Sequence, residues 1–119
     1  MYNHSEDALQ VDQQTLVQAW QQTLPEKLEP WGKATVLTDE AVPEGFRIHI
    51  DNAGRQMYSF DFACAYVDSR EVNVQLVDVE RDGQTVDERT EVIQEMTQNY
   101  IRHIHECAQA LQSMTHKRS

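Results

Sequence analysis

The sequence has little glycine, proline, cysteine or basic charge, and it has no long apolar run. Among 119 residues there are four Gly, three Pro and two Cys, which excludes collagen-like, low-complexity and disulfide-stapled architectures. No stretch approaches the roughly 20 consecutive apolar residues that a transmembrane helix requires. The N-terminus, MYNHSEDALQ, lacks the basic start and the apolar middle of a secretory signal. We therefore expect a cytoplasmic protein.

Acidic residues far outnumber basic ones. Twenty Asp and Glu against ten Lys and Arg give a formal net charge of -10 at pH 7. A negative field of this size repels phosphate backbones and anionic lipid headgroups. We therefore expect no nucleic acid and no membrane as partners, whereas a basic protein partner fits the charge. An acidic surface also serves solubility alone, and the sequence leaves both interpretations open.

Residues 58–66 form the most regular segment of the chain. They read YSFDFACAY, in which large apolar residues alternate with small or polar ones. A period of two places the large side chains on one face of a β-strand. We interpret this segment as the central strand of an antiparallel sheet with an apolar inner face and a polar outer face.

Two strands are predicted before this segment and one after it. Residues 33–38 (KATVLT) are rich in β-branched side chains, and residues 46–50 (FRIHI) alternate between apolar and polar. After a turn at residues 68–70, a register that pairs Val67 with Glu71 returns the chain to the sheet. That register places Val72, Val74 and Leu76 opposite Tyr66, Cys64 and Phe62 on the inner face.

The turn between the second and third strands is predicted to be short. A three-residue loop with Gly54 in the left-handed conformation pairs Asp51 with Arg55. This register places Ile48 opposite Tyr58 and Phe46 opposite Phe60.

The alternation of the last strand breaks after Leu76. Val77 and Val79 are apolar, whereas Asp78 falls on the inner face opposite Phe60. A β-bulge that re-phases the strand explains the break. The alternative is an Asp held for function at the mouth of the core.

Helices are predicted on both sides of the meander. The first begins at Asp12, whose side chain can cap the amides of the following turn. It ends near Leu24, because Pro25 follows. Its apolar face carries Leu16, Trp20 and Leu24, and Gln13, Gln14, Gln18, Gln21 and Gln22 are predicted to face water.

The second helix is predicted to be long. Thr85 and Glu88 have the spacing of a capping box and mark its start. Apolar residues then recur at steps of three and four from Ile93 to Met114, so the helix spans about 25 residues. The acidic residues between 78 and 95 are interpreted as solvated surface and helix start.

These elements define an α+β fold. We predict an N-terminal helix, a four-stranded antiparallel meander sheet and a long C-terminal helix packed on one sheet face. Residues 1–10 are predicted to be a flexible tail, and residues 11–116 a single domain. A chain of this size can bury roughly two thirds of its unfolded surface.

No motif in the sequence indicates catalysis or a metal site. There is no Gly-rich phosphate loop, nucleophile elbow or zinc ribbon. His103, Glu106 and Cys107 share one helix face, but a structural zinc ion needs four converging ligands. His105 points away from that face. We therefore predict no metal, no cofactor and no catalytic residue.

Two surfaces are candidate binding sites, of which one is the outer face of the sheet. Its mixture of polar and small side chains is typical of a sheet-to-sheet dimer interface. The residues concerned are Arg47, His49, Met57, Asp61, Ala63 and Ala65.

The other candidate is a pocket between the long helix and the sheet. Tyr58, Tyr66, Asp78, Tyr100 and His103 would line its mouth.

Two function classes follow from these surfaces. The first is a small acidic binding or regulatory protein, non-enzymatic and expected to be a homodimer, that acts by protein-protein interaction. The second is a small-molecule-binding protein or an enzyme that uses the pocket. An internal cavity with converging polar atoms would favour the second class.

Overall fold

A computed structural model of the chain describes residues 9, 11–28, 32–52 and 58–116. The predicted tail at residues 1–10, apart from Leu9, lies outside the described residues. So do residues 53–57, which include Met57, Gly54 and Arg55.

The chain forms two main helices and one antiparallel sheet. Helix α1 (Gln13–Lys27) precedes strands β1 (Gly32–Thr38), β2 (Gly45–Asn52), β3 (Tyr58–Tyr66), β4 (Val72–Arg81) and β5 (Gln84–Thr85). Helix α2 (Glu91–Ala110) and the short helix α3 (Gln112–Thr115) follow. The strands lie in the order β1-β2-β3-β4-β5, so each pairs with its sequence neighbour. The predicted α+β class is confirmed, and the two-residue β5 adds a fifth strand to the predicted four.

The core lies between the inner face of the sheet and the two helices. Every second residue of β3, from Tyr58 to Tyr66, is buried. The ring of Phe60 packs 5.0 Å from that of Tyr100 in α2. Trp20 of α1 packs 4.6 Å from Phe46 of β2. Both helices therefore cover the same sheet face.

The register of β3 with β4 confirms the predicted turn and bulge. The Val67 N–H donates to the Glu71 carbonyl at 2.8 Å. Leu76 lies opposite Phe62 but Asp78 lies opposite Asp61, so Val77 is the extra residue of a bulge. The bulge returns Val79 to the core, opposite Phe60. Asp78 lies on the outer face.

The predicted register of β2 with β3 is wrong. Asp51 lies opposite Ser59, not Arg55. The true register differs from the predicted one by an even number of residues. An even slip leaves every side chain on its predicted face, so the apolar pattern fits both registers. The observed pairs are Ile48 with Phe62 and Phe46 with Cys64, in place of Ile48 with Tyr58 and Phe46 with Phe60.

Helix α1 continues beyond the predicted end at Leu24. Pro25 lies inside the helix, which runs to Lys27. Proline lacks the N–H that would bond the Gln21 carbonyl, but it does not prevent one more turn. The Leu28 N–H donates to the Pro25 carbonyl at 3.3 Å and closes that turn, and Leu28 is buried in the core.

The predicted bounds of the second helix are also wrong. Thr85 belongs to β5, where it lies opposite Glu80, so it cannot cap a helix. Helix α2 begins at Glu91 after Thr90. It ends at Ala110, because the backbone leaves the helical conformation at Leu111 before α3 begins. The apolar stripe predicted for one helix is therefore shared by two.

Two glutamines of α1 do not face water, contrary to prediction. The Gln21 side chain donates to the Ala34 carbonyl at 3.0 Å and accepts from the Val36 N–H at 2.7 Å. Gln13 Nε2 lies within 3.0 Å of three carbonyl oxygens, those of Asp39, Val42 and Gly45. Strand β1 is an edge strand, and an uncovered edge invites pairing with other chains. Side-chain amides of α1 cover this edge.

Replacing Gln21 with Ala tests whether its side chain stabilises the β1 edge. We expect Gln21→Ala to lower the free energy of unfolding by about 1–2 kcal/mol, because two part-buried backbone groups of β1 lose their partner. Urea denaturation followed by circular dichroism measures the change. Gln22→Ala is the matched control, since Gln22 is exposed on the same helix. Equal unfolding midpoints for the two variants would contradict a role for Gln21 at the edge.

Candidate functional site

Tyr66, predicted at a pocket mouth, is enclosed in the core. Trp20 Nε1–H donates to its hydroxyl at 3.2 Å. Burial raises the pKa of Tyr66 to about 12. This hydrogen bond fastens α1 to the sheet, and Tyr66 offers no surface to a ligand.

The other four residues of the predicted mouth lie on two strands and on α2. Tyr58 and Tyr100 are buried on the inner face, and the Tyr100 hydroxyl accepts from Asn52 Nδ2 at 3.2 Å. His103 lies on α2, where its Nδ1 is 2.9 Å from Glu106 Oε1. Asp78 lies on the outer face of the sheet. Tyr58 and Tyr100 both pack on the ring of Phe60, whereas Asp78 lies on the opposite face of the sheet.

Both cysteines are buried in the core and form no disulfide. Burial raises the pKa of the Cys64 and Cys107 thiols to about 12 in each case. Thiols of such high pKa are poor nucleophiles at neutral pH. Within the described ranges, no group of three or more His, Cys, Asp or Glu side chains is arranged to hold a metal ion.

The outer face brings together two of the predicted residues, His49 and Asp61. They lie opposite each other on β2 and β3, with His49 Nδ1 2.7 Å from Asp61 Oδ1. His49 Nε2 lies 3.0 Å from Asp51 Oδ1, which also accepts from the Ser59 hydroxyl at 2.7 Å. We call His49, Asp51, Ser59 and Asp61 the polar cluster.

The carboxylates of the polar cluster favour the charged form of His49. Partial burial lowers the pKa of His49, but the hydrogen bonds and negative charges of Asp61 and Asp51 outweigh it, so the pKa lies above its ordinary value. The hydrogen bond from Ser59 is the main cause that lowers the pKa of Asp51, and His49 adds to it. The two carboxylates of the cluster therefore favour the protonated form of His49.

The rest of the outer face mixes small apolar and polar side chains, with Gln75 beside Ala63 and Asn73 beside Ala65. Ala63 lies opposite Arg47, and Ala65 opposite Gly45. Arg47 turns to Asp39, with Nε 3.3 Å from Oδ2. At the margin, Leu37 is 58% and Val67 64% exposed. We call Leu37, Ala63, Ala65 and Val67 the small-residue patch.

A groove that the sequence did not predict separates the first half of α2 from β4. It is open and has a volume of about 630 Å³. Leu76 lies on its sheet side and Thr97 on its helix side. The other lining residues are Glu88, Glu91, Gln94, Glu95, Gln98 and Asn99, which include three carboxylates and no cation. We call it the acidic groove.

Beside the acidic groove, β4 presents an unpaired backbone edge. Strand β5 pairs only with Glu80 and Arg81. In the described part of the chain, no strand lies beside residues 72–78 on that side. Val67 and Glu71 form a hydrogen-bonded pair, and such pairs alternate along an antiparallel ladder. The N–H and C=O groups of Val72, Val74 and Leu76 therefore point away from β3, and we call them the open edge.

Thr97 is a buried polar residue in the wall of the acidic groove. The residue is 9% exposed, and its hydroxyl has no hydrogen-bond partner among the described residues. A buried hydroxyl without a partner costs about 1–3 kcal/mol relative to a bonded one. Because this oxygen is itself enclosed in the wall, a donor in the groove can reach it only if neighbouring side chains move.

Comparison with known proteins assigns no family. No protein-family model, curated protein or solved structure matches the chain. None of the helices in the described part of the chain combines the length and the apolar character that a membrane span needs. The outer face and the acidic groove are the two surfaces on which a function can be argued.

The polar cluster predicts how stability depends on pH. A raised pKa for His49 means that the folded protein binds its proton more tightly than the unfolded chain does. The stabilisation is fully present below the unfolded pKa of about 6.5 and is lost as the pH rises through the folded value. Between about pH 6 and pH 8.5 we expect the wild type to lose up to about 1 kcal/mol relative to His49→Gln, as for other exposed ion pairs.

Urea denaturation at each pH measures this difference. His105→Gln is the control, because His105 is an exposed histidine on α2. The same pH profile for the wild type and for His49→Gln would contradict the coupling of His49 to Asp51 and Asp61.

Proposed function

We propose that this protein is a non-enzymatic interaction protein that binds a basic protein partner in the acidic groove. The observation that carries the proposal is the position of three carboxylates and a buried, unpartnered hydroxyl in one open groove.

Charge favours a cationic partner for this groove. Its lining residues carry only negative charge, and the whole chain has a formal net charge of -10. A groove of one sign focuses the field and speeds the approach of the opposite charge. Surface attraction of this kind weakens as salt is added.

Partly exposed apolar side chains at the groove can be buried by a bound partner. Leu76 lines the groove, and Leu76 and Val74 are only partly buried although they pack against the core. Each Å² of apolar surface removed from water contributes about 25 cal/mol. Charge attraction can then raise the association rate, and burial of apolar surface can stabilise the complex.

Binding is better supported than catalysis. The thiols of Cys64 and Cys107 are buried, with pKa values raised to about 12. The tyrosines of the predicted mouth are buried on the inner face. Free buried thiols also support our proposal of a cytoplasmic location, since such thiols persist in reducing compartments.

A small cationic molecule is the second candidate for the groove. The groove lies between the long helix and the sheet, where a ligand pocket was expected, and its carboxylates suit a polyamine. The groove is open to solvent and polar, whereas most small-molecule sites are enclosed and apolar. These features favour a protein partner.

A peptide titration tests the proposed function. A fluorescent peptide of alternating Lys and Val should bind, and a matched peptide of Glu and Val should not. Glu88→Gln with Glu95→Gln should weaken binding by about tenfold, which corresponds to 1.4 kcal/mol. The control is Glu40→Gln with Glu44→Gln, which removes the same charge from exposed positions in the β1–β2 loop.

The outcomes separate the two candidates. Equal affinity of the groove and loop variants for the Lys peptide would contradict the groove as the site. Binding of spermidine without binding of the Lys peptide would support the small-molecule alternative instead.

We also propose that a second copy of the chain covers the small-residue patch. Its flat alanines allow two sheets to approach closely, and Leu37 and Val67 add exposed apolar area. Light scattering after size exclusion should give about twice the chain mass of 13.8 kDa. Ala63→Arg should give the monomer, and Gln22→Arg on α1 is the matched control. A monomeric wild type would contradict the homodimer.

A further inference from the structure

We propose that the partner docks as an added β-strand, in which an extended basic segment pairs antiparallel with the open edge of β4. This inference rests on the proposed function and narrows its partner to a segment with Lys or Arg at every second position.

The two edges of the sheet differ in a way that favours this site. The β1 edge is covered by Gln21 of α1, which bonds both Ala34 and Val36. The β4 edge has no such cover in the described part of the chain. Residues 72–78 (VNVQLVD) also lack the Lys or Pro that commonly protects an edge strand. Among the described residues, Val72, Val74 and Leu76 of β4 therefore offer an extended segment a run of backbone groups that no neighbouring strand pairs.

The free stretch of the edge sets the length of the segment. It runs from Val72 to the bulge at Val77, beyond which β5 occupies the same side. Five residues of strand span about 16 Å. Val72, Val74 and Leu76 each offer one N–H and one C=O, so a segment of about five residues satisfies the edge.

Antiparallel pairing fixes where the basic side chains point. A residue that exchanges hydrogen bonds with Val74 places its side chain on the same sheet face as Val74, which is the inner face. At this edge the inner face borders the acidic groove, because Leu76 lines it. Alternate side chains of the segment therefore enter the groove and meet its carboxylates.

A second copy of the chain is a weaker candidate for this edge. Pairing β4 with β4 would bring two acidic grooves together, and each chain carries a formal net charge of -10. Like charges placed opposite each other oppose association. A basic segment neutralises the groove instead.

Backbone methylation tests the inference. In the alternating Lys and Val peptide, the Lys residues face the groove, so their N–H groups point to β4. N-methylation at the Lys residues should weaken binding at least about tenfold. N-methylation at the Val residues is the matched control, since their N–H groups point to solvent, and it should change affinity less than about threefold.

Amide hydrogen exchange of the protein gives a second readout. Bound peptide should slow exchange at Val72, Val74 and Leu76, whose N–H groups lie on the open edge. Strand addition would be overturned if the peptide bound tightly despite backbone N-methylation at its Lys residues and left these amides unprotected. The proposed function would then stand. If neither the unmodified Lys peptide nor an Arg counterpart binds, the proposed function fails, and this inference fails with it.

Discussion

Burial of one face of β3 is the constraint on which the rest of the structure depends. Its alternate residues from Tyr58 to Tyr66 are buried, so both helices must lie on that one side of the sheet. Trp20 of α1 reaches the Tyr66 hydroxyl, and Tyr100 of α2 packs on Phe60. The outer face is left for polar and small side chains. One strand thus decides which surfaces are core and which are available for binding.

The two helices cover different parts of this face, and the candidate site lies where a groove separates α2 from β4. The amide of Gln21 bonds the Ala34 carbonyl and the Val36 N–H, so α1 covers part of the β1 edge. Helix α2 lies over Phe60 and Phe62, and a groove separates its first half from β4. In the described part of the chain, the β1 edge is thus partly covered, whereas residues 72–76 of β4 have no neighbouring strand on their outer side. The open edge lies beside the groove that carries the carboxylates.

Sequence patterns predicted the faces of the strands better than their registers and ends. The alternation around Phe60 and Phe62 identified the buried face, because side-chain direction repeats every two residues. It could not separate the register that pairs Asp51 with Ser59 from one that pairs it with Arg55, since an even slip preserves every face. Gln21 looked solvated because a glutamine on a polar helix face gives no sign of a strand edge beside it.

The acidic groove could not be predicted from the sequence for a related reason. Glu88 and Glu95 suit a solvated helix start as well as a groove wall, and only the tertiary structure places Leu76 and Thr97 beside them. Thr97 gave no signal, because one Thr in an apolar stripe can pack as a small core residue. Pairing of His49 with Asp61 was within reach of the sequence, since both residues were predicted on the outer face of adjacent strands.

The bulge at Val77 links the outer face to the open edge. Without the bulge, a regular ladder through Val77 would place Asp78 on the inner face opposite Phe60, as the simple alternation requires. With it, Val79 fills that core position and Asp78 lies opposite Asp61 on the outer face. A bulge also interrupts the regular ladder, so it ends the stretch of β4 to which another strand could add. The bulge therefore keeps a carboxylate out of the core and limits the open edge to the part of β4 that contains Leu76.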